Sequence, residues 1–91
     1  MKSTRNEVYE ALDSERDYQE EHGPEIIGEV IETGTLSVGD EILLMEEYLL
    51  RARKAWTDAA SPELEALKIV RKVGGIAVRC MEVYGAISRG K

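Results

Sequence analysis

Apolar residues recur every three or four positions in three separate stretches of the chain, the spacing that lines up side chains on one face of an α-helix. Residues 5–21 hold neither glycine nor proline and run out at Gly23 and Pro24, which stop helices. Their apolar stripe of Val8, Leu12 and Tyr18 leaves a place for Glu15, so a carboxylate falls on the apolar face. A second helix is predicted from Ser37 to about Thr57. Ser37 followed by Asp40 resembles a capping box in which Asp replaces Glu, and Asp40 and Glu41 suit the positive end of a helix dipole. Ile42, Met45, Leu49, Ala52 and Trp56 then form a seam, while Leu43, Leu44, Tyr48 and Leu50 widen the apolar surface beyond one stripe. A surface that wide predicts burial against more than one neighbour, which oligomerisation satisfies.

A third helix is predicted to start at Ser61 and Pro62, an N-cap and a first-turn proline, and to stop after Tyr84 at Gly85. Leu67, Val70, Gly74, Ala77, Met81 and Tyr84 form one stripe, and Ile69, Val73, Ile76, Cys80 and Val83 form another. The short connection between the second and third helices makes them antiparallel neighbours. The expected architecture is therefore all-α: one domain over residues 1–91, an antiparallel hairpin of two long helices with an N-terminal helix packed across or alongside it, in a homo-oligomeric bundle. Residues 24–36 are ambiguous. Ile26, Ile27, Val30 and Ile31 have helical spacing, but Gly28, Gly34 and the β-branched residues oppose it, so a short helix is only slightly favoured over a strand or loop.

Charge divides the chain into two unlike halves. The net charge of −6 opposes binding of a long nucleic acid, yet residues 1–50 carry 14 acids and 3 bases while residues 51–91 carry 9 bases and 4 acids. The halves should attract each other, either as an acidic helix packed beside a basic one or as an acidic protein with a local basic surface for a small anion. The single Cys80 excludes an intrachain disulfide and, with the single His22, a four-ligand Cys/His zinc site. No run of about 18 apolar residues is present and the first residues resemble neither signal nor transit peptide, so no membrane partner and a reducing, cytoplasmic location are expected.

Lys68, Lys72, Gly75, Arg79 and Glu82 share one polar stripe of the third helix, with Arg71 beside it. The tandem Gly74 and Gly75, each costing about 1 kcal/mol in a helix, implies either a notch for close helix packing or a floor for a flat ligand. On the first helix Glu15, Arg16, Asp17, Tyr18 and Gln19 crowd charge, a ring and an amide together. Glu15 should meet a cation such as Arg71 or Arg79, or else a ligand or metal. Tyr18, Tyr48 and Trp56 could stack a base or simply fill the core. His22 and Cys80 lack a catalytic partner, so no catalytic residue is assigned.

Two resemblances add to this. In size, helix count and acidic second helix the chain resembles the MazG-type all-α nucleoside triphosphate pyrophosphatases, whose Glu-Glu-x-x-Glu and Glu-x-x-Asp motifs hold Mg. Glu46 and Glu47 supply the Glu-Glu pair, whereas the third position is Leu50 and the third helix has no Glu-x-x-Asp. On that alternative a magnesium-dependent hydrolysis would use Glu15, Glu41, Glu46 and Glu47. The segments Glu15 to Gln19, Ser37 to Glu41, Ile69 to Val73 and Arg79 to Glu82 look like small helical bacteriophage proteins, several of which sequester nucleotide signals of host immunity without cleaving them. This resemblance implies an anti-defence sponge in the host cytoplasm that binds a cyclic nucleotide or cyclic ADP-ribose derivative at a subunit interface and needs no cofactor. The phosphates would meet Arg71, Lys72 and Arg79; Glu15 and Gln19 would hold ribose or base; Tyr18 would stack; Arg16 lies within the same cluster. A third reading is a helical module that binds a host protein.

Overall fold

The computed structural model describes residues 2–22, 25–26, 29–30, 36–58 and 60–90. It contains α1 (Arg5–His22), a minimal antiparallel ribbon of β1 (Glu25–Ile26) and β2 (Glu29–Val30), α2 (Val38–Asp58) and α3 (Pro62–Tyr84). The architecture is all-α, as expected. The slight preference for a helix after Pro24 is corrected at residues 25–26 and 29–30, which pair as strands; the rest of that segment up to Thr35 lies outside the described residues. Strand suits the β-branched run there better than a helix that would have to include Gly28.

Local chemistry sets the helix ends. At α1 the Thr4 hydroxyl accepts from Glu7 N–H at 3.1 Å and Glu7 accepts from Thr4 N–H at 2.9 Å. Ser37 and Asp40 make the same reciprocal pair before α2, at 3.1 and 3.0 Å. These bonds to backbone N–H hold the Glu7 and Asp40 carboxyls below their ordinary values. Ser61 departs from expectation. Its side chain makes no capping bond, and α3 begins on Pro62 with Ser61 supplying only its carbonyl to Glu65 N–H at 3.0 Å. At the other end Gly85 takes φ +119°, a conformation other residues avoid, and its N–H donates to the Met81 carbonyl at 2.8 Å.

α2 and α3 are antiparallel, because contacts late in α3 fall early in α2: Arg79 on Glu41, Lys72 over Tyr48, and the Tyr84 hydroxyl on the Leu36 carbonyl ahead of α2. Between them lies the core, Leu44, Tyr48 and Ile76, with Met45, Ile69 and Val73 packed against it. Full burial of each such side chain stabilises by about 1.5–3 kcal/mol.

α1 seats on a different flank of α3. Its buried residues are Glu15, Arg16 and Gln19, while Val8 and Tyr18 of the expected apolar stripe are exposed and only Leu12 is half-buried. The glycine pair explains the seating. A Cβ on Gly74 would meet Leu12 Cδ2 at 2.5 Å, and one on Gly75 would meet Glu15 Cγ at 2.6 Å and Gln19 Nε2 at 2.8 Å. The notch is filled by α1 and cannot serve as the floor for a base or ribose. Among the described residues no helix is long and apolar enough to cross a membrane.

Candidate functional site

The basic stripe read along α3 is dispersed by its neighbours. Lys68 turns to Glu65 at 3.2 Å on the surface. Arg79 is buried, and its terminal nitrogen donates to both oxygens of Glu41 at 3.0 and 2.8 Å. Its Nε is buried without a hydrogen-bond partner among the described residues. Arg79 therefore joins α2 to α3 and does not reach a solvent-facing site.

Arg16 is likewise engaged. Its Nε donates to Glu82 Oε1 at 2.6 Å, one terminal nitrogen reaches Glu82 Oε2 at 3.2 Å and also Glu20, and the other approaches Gln19 Oε1 at 3.4 Å. The hydrogen bond from Arg16 holds the Glu82 carboxyl below the usual carboxylate range, and the same contact raises the Arg16 guanidinium. An open cleft of about 450 Å³ over this pair is lined mainly by acids, Asp13, Asp17, Glu20 and Glu82 among them, and repels anions.

What remains converges on one place. Ser14, Glu15, Tyr18, Arg71 and Lys72 line an open cleft of about 470 Å³ between α1 and α3. Buried Glu15 accepts from Arg71 Nε at 3.0 Å, and the Arg71 side chain is still 47% exposed. Among the described residues its two terminal nitrogens make no hydrogen bond to protein. Gln19, beneath the cleft, donates to Glu15 Oε2 and to the Lys72 carbonyl, both at 3.4 Å, and so braces the two cations' supports. Lys72 Nζ lies 5.8 Å from the Tyr18 ring centroid and 5.4 Å from that of Tyr48, within cation–π range of both. It has no carboxylate partner among the described residues. Tyr18 is half-exposed and stacks on His22 at 4.1 Å between centroids.

The structure thus brings together Glu15, Tyr18, Arg71 and Lys72, places Gln19 below them, and leaves Arg16 and Arg79 elsewhere. Sequence reasoning missed Ser14, although it precedes Tyr18 by one helical turn and so shares its face. Tyr48 was named but not joined to Lys72. Trp56 is exposed away from the cleft.

The donor set of the magnesium alternative does not converge. Glu15 is bonded to Arg71 and Glu41 to Arg79, Glu47 sits beside Arg51 at 3.8 Å, and Glu46 is exposed. Among the described residues no three His, Cys, Asp or Glu side chains are grouped as metal ligands would be. Comparison with models of protein families, with curated proteins and with solved structures finds no match. The functional reading therefore stands on the cleft.

Proposed function

We propose that this protein binds and holds a small nucleotide-derived anion in the cleft between α1 and α3 without cleaving it. The observation that carries the reading is the convergence of the free edge of the Arg71 guanidinium and the Lys72 ammonium on open space beside the Tyr18 ring. Arginine's fork suits phosphate oxygens, lysine adds a point charge, and a half-exposed tyrosine offers a face to a base. Glu15 and Gln19 act by positioning: one fixes Arg71 and the other fixes the Lys72 backbone. Two cations against one carboxylate leave a local surplus of positive charge on a chain of net charge −6, which favours a compact anion over a polymer.

The ligand class comes from the resemblance to phage sponge proteins. A cyclic nucleotide or cyclic ADP-ribose signal of host defence, sequestered in the host cytoplasm, has the phosphates and rings that these side chains accept. Calorimetric titration with cyclic dinucleotides and cyclic ADP-ribose derivatives should give binding, with the ligand recovered intact after denaturation. Arg71→Ala and Lys72→Ala should each weaken it about tenfold, as loss of a charge-assisted hydrogen bond or a cation–phosphate contact does. No heat with any of these ligands, or recovery of a cleaved product, overturns the reading.

A further inference from the structure

Among the described residues the hairpin's core does not end at a covered edge. Met45, Ile69 and Val73 pack against the buried cluster and form a half-buried seam. One helical row beyond Met45 stand Ile42, Leu49 and Trp56, and one row beyond Val73 stand Val70 and Met81, all between 45% and 57% exposed. α2 and α3 run in opposite directions, so helical phase turns these two rows toward the same side of the hairpin. α1 lies on another flank, against Arg71, Gly75 and Glu82. The result is a continuous apolar face two helices wide.

The amount of exposed surface points the same way. The chain exposes 7019 Å², against about 5,300 Å² expected for a folded monomer of 10.2 kDa. Part of the surplus is the extended segment after Tyr84, where Ile87 is almost fully exposed. With that segment included the surplus is about 1,700 Å², roughly twice the 800 Å² that each partner contributes to an interface of standard size.

We infer that this face closes on a second copy of the same chain, related by a two-fold axis that crosses α2 near Leu49 and sets the two α2 helices antiparallel. Charge selects that arrangement. Glu46 and Arg53 flank the Leu49 row, three residues before it and four after. Seven residues of helix separate them by about 10 Å, too far to pair with each other. Neither has an ion-pair partner among the described residues. The two-fold places Glu46 opposite Arg53 of the partner subunit, and by symmetry does so twice. It also sets Ile42 against Trp56 of the partner subunit and closes a four-helix core. A parallel packing would instead stack Glu46 on its own copy. The inference deepens the expected self-association by giving it a face and a register. It also keeps both anion clefts clear of the interface, so it is independent of ligand binding.

Sedimentation equilibrium or light scattering at tens of micromolar should give a mass near twice 10.2 kDa. Leu49→Glu changes a residue that is half-exposed in the single chain, so helical circular dichroism should persist while the mass falls to one chain and the dissociation constant rises at least about 100-fold. Glu46→Arg or Arg53→Glu alone should weaken the dimer about tenfold, and the double reversal should restore it. A wild-type protein of single-chain mass overturns the inference. A dimer that survives Leu49→Glu overturns the face, and a double reversal no tighter than the single changes overturns the register.

Discussion

Along one side of α3, Leu44 and Tyr48 close over Ile76, and the ion pair that the described residues form in that interface, Glu41 with Arg79, is dry. Along another side, α1 meets α3 through Glu15, Arg16 and Gln19, whose partners Arg71 and Glu82 are about half in solvent. The first interface is held by apolar burial that water and salt barely touch. The second is held by shape at two glycines and by charges that solvent screens. The hairpin is therefore the stable unit and α1 the helix most readily released, which also makes the cleft between α1 and α3 the adjustable part of the molecule.

Glu41→Ala should do the greatest damage. It leaves the Arg79 guanidinium buried with no acceptor, on a side chain whose Nε already lacks one. Stranding a buried charge costs about 3–5 kcal/mol, a large share of the stability of so small a chain. Thermal or urea unfolding should show the whole protein collapsing. Replacing both partners, Glu41→Leu with Arg79→Met, should return stability close to wild type, because the interior then loses two desolvated charges together. If the single change were as mild as the double, the interface would be wetter than its burial shows.

A smaller effect is expected at the glycine notch, and it should appear only on the α1 side. Gly75→Ala drives a methyl into Glu15 Cγ and Gln19 Nε2, both part of a buried network. Gly74→Ala meets only the far end of Leu12, which can swing aside. Both gain about 1 kcal/mol of helix propensity. Gly75→Ala should nevertheless lose about 1–2 kcal/mol of α1 docking, as overpacking does, and Gly74→Ala should be close to neutral. Hydrogen exchange along residues 12–19 reports the difference. Equal protection in the two variants would mean that the notch does not hold α1.

Those two results also mark what could be read from the chain. Helix positions, the Ser37–Asp40 cap, the proline start of α3 and its stop at Gly85 follow from local rules acting within a few residues, so they were legible. The Thr4–Glu7 capping box obeys the same rule and was readable but overlooked. The site was legible only as a set of residue types. Lys72, Arg79 and Glu82 share a stripe in sequence, yet Glu41 draws Arg79 inward, Arg16 takes Glu82, and only Lys72 stays facing the cleft beside Arg71. Which of several acids captures which base depends on how α1 crosses α3, and nothing local to either helix encodes that crossing except the glycine pair. The segment after Pro24 was open for a different reason: its apolar spacing fits a helix while its β-branched residues fit a strand, and the antiparallel pairing of residues 25–26 with 29–30 decides it there.

The smallest effect separates the two interfaces by acid. Hydrogen-bonded by Arg16, Glu82 has a folded-state pKa below its unfolded value near 4.3. Its contribution is therefore complete above that value and is lost as pH falls through the lower folded one. Solvent reaches half of the Glu82 side chain, so the contribution is below about 1 kcal/mol. The hydrogen bond to Glu82 moves the Arg16 guanidinium upward, away from the acid range, and so adds nothing to this dependence. Glu7 is displaced downward as well, so the same acidification removes the cap of α1 and one of its ties to α3 together. Asp40 shifts in the same direction and loosens the start of α2, but the apolar core behind it does not titrate. Exchange protection in α1 should therefore fall between pH 5 and pH 3 while protection around Ile76 holds. Glu82→Gln should show a smaller fall across that interval, since it carries one titrating tie fewer. Simultaneous loss of protection in α1 and the hairpin, in wild type and variant alike, would show that the two interfaces open as one unit and that the polar one is not the weaker.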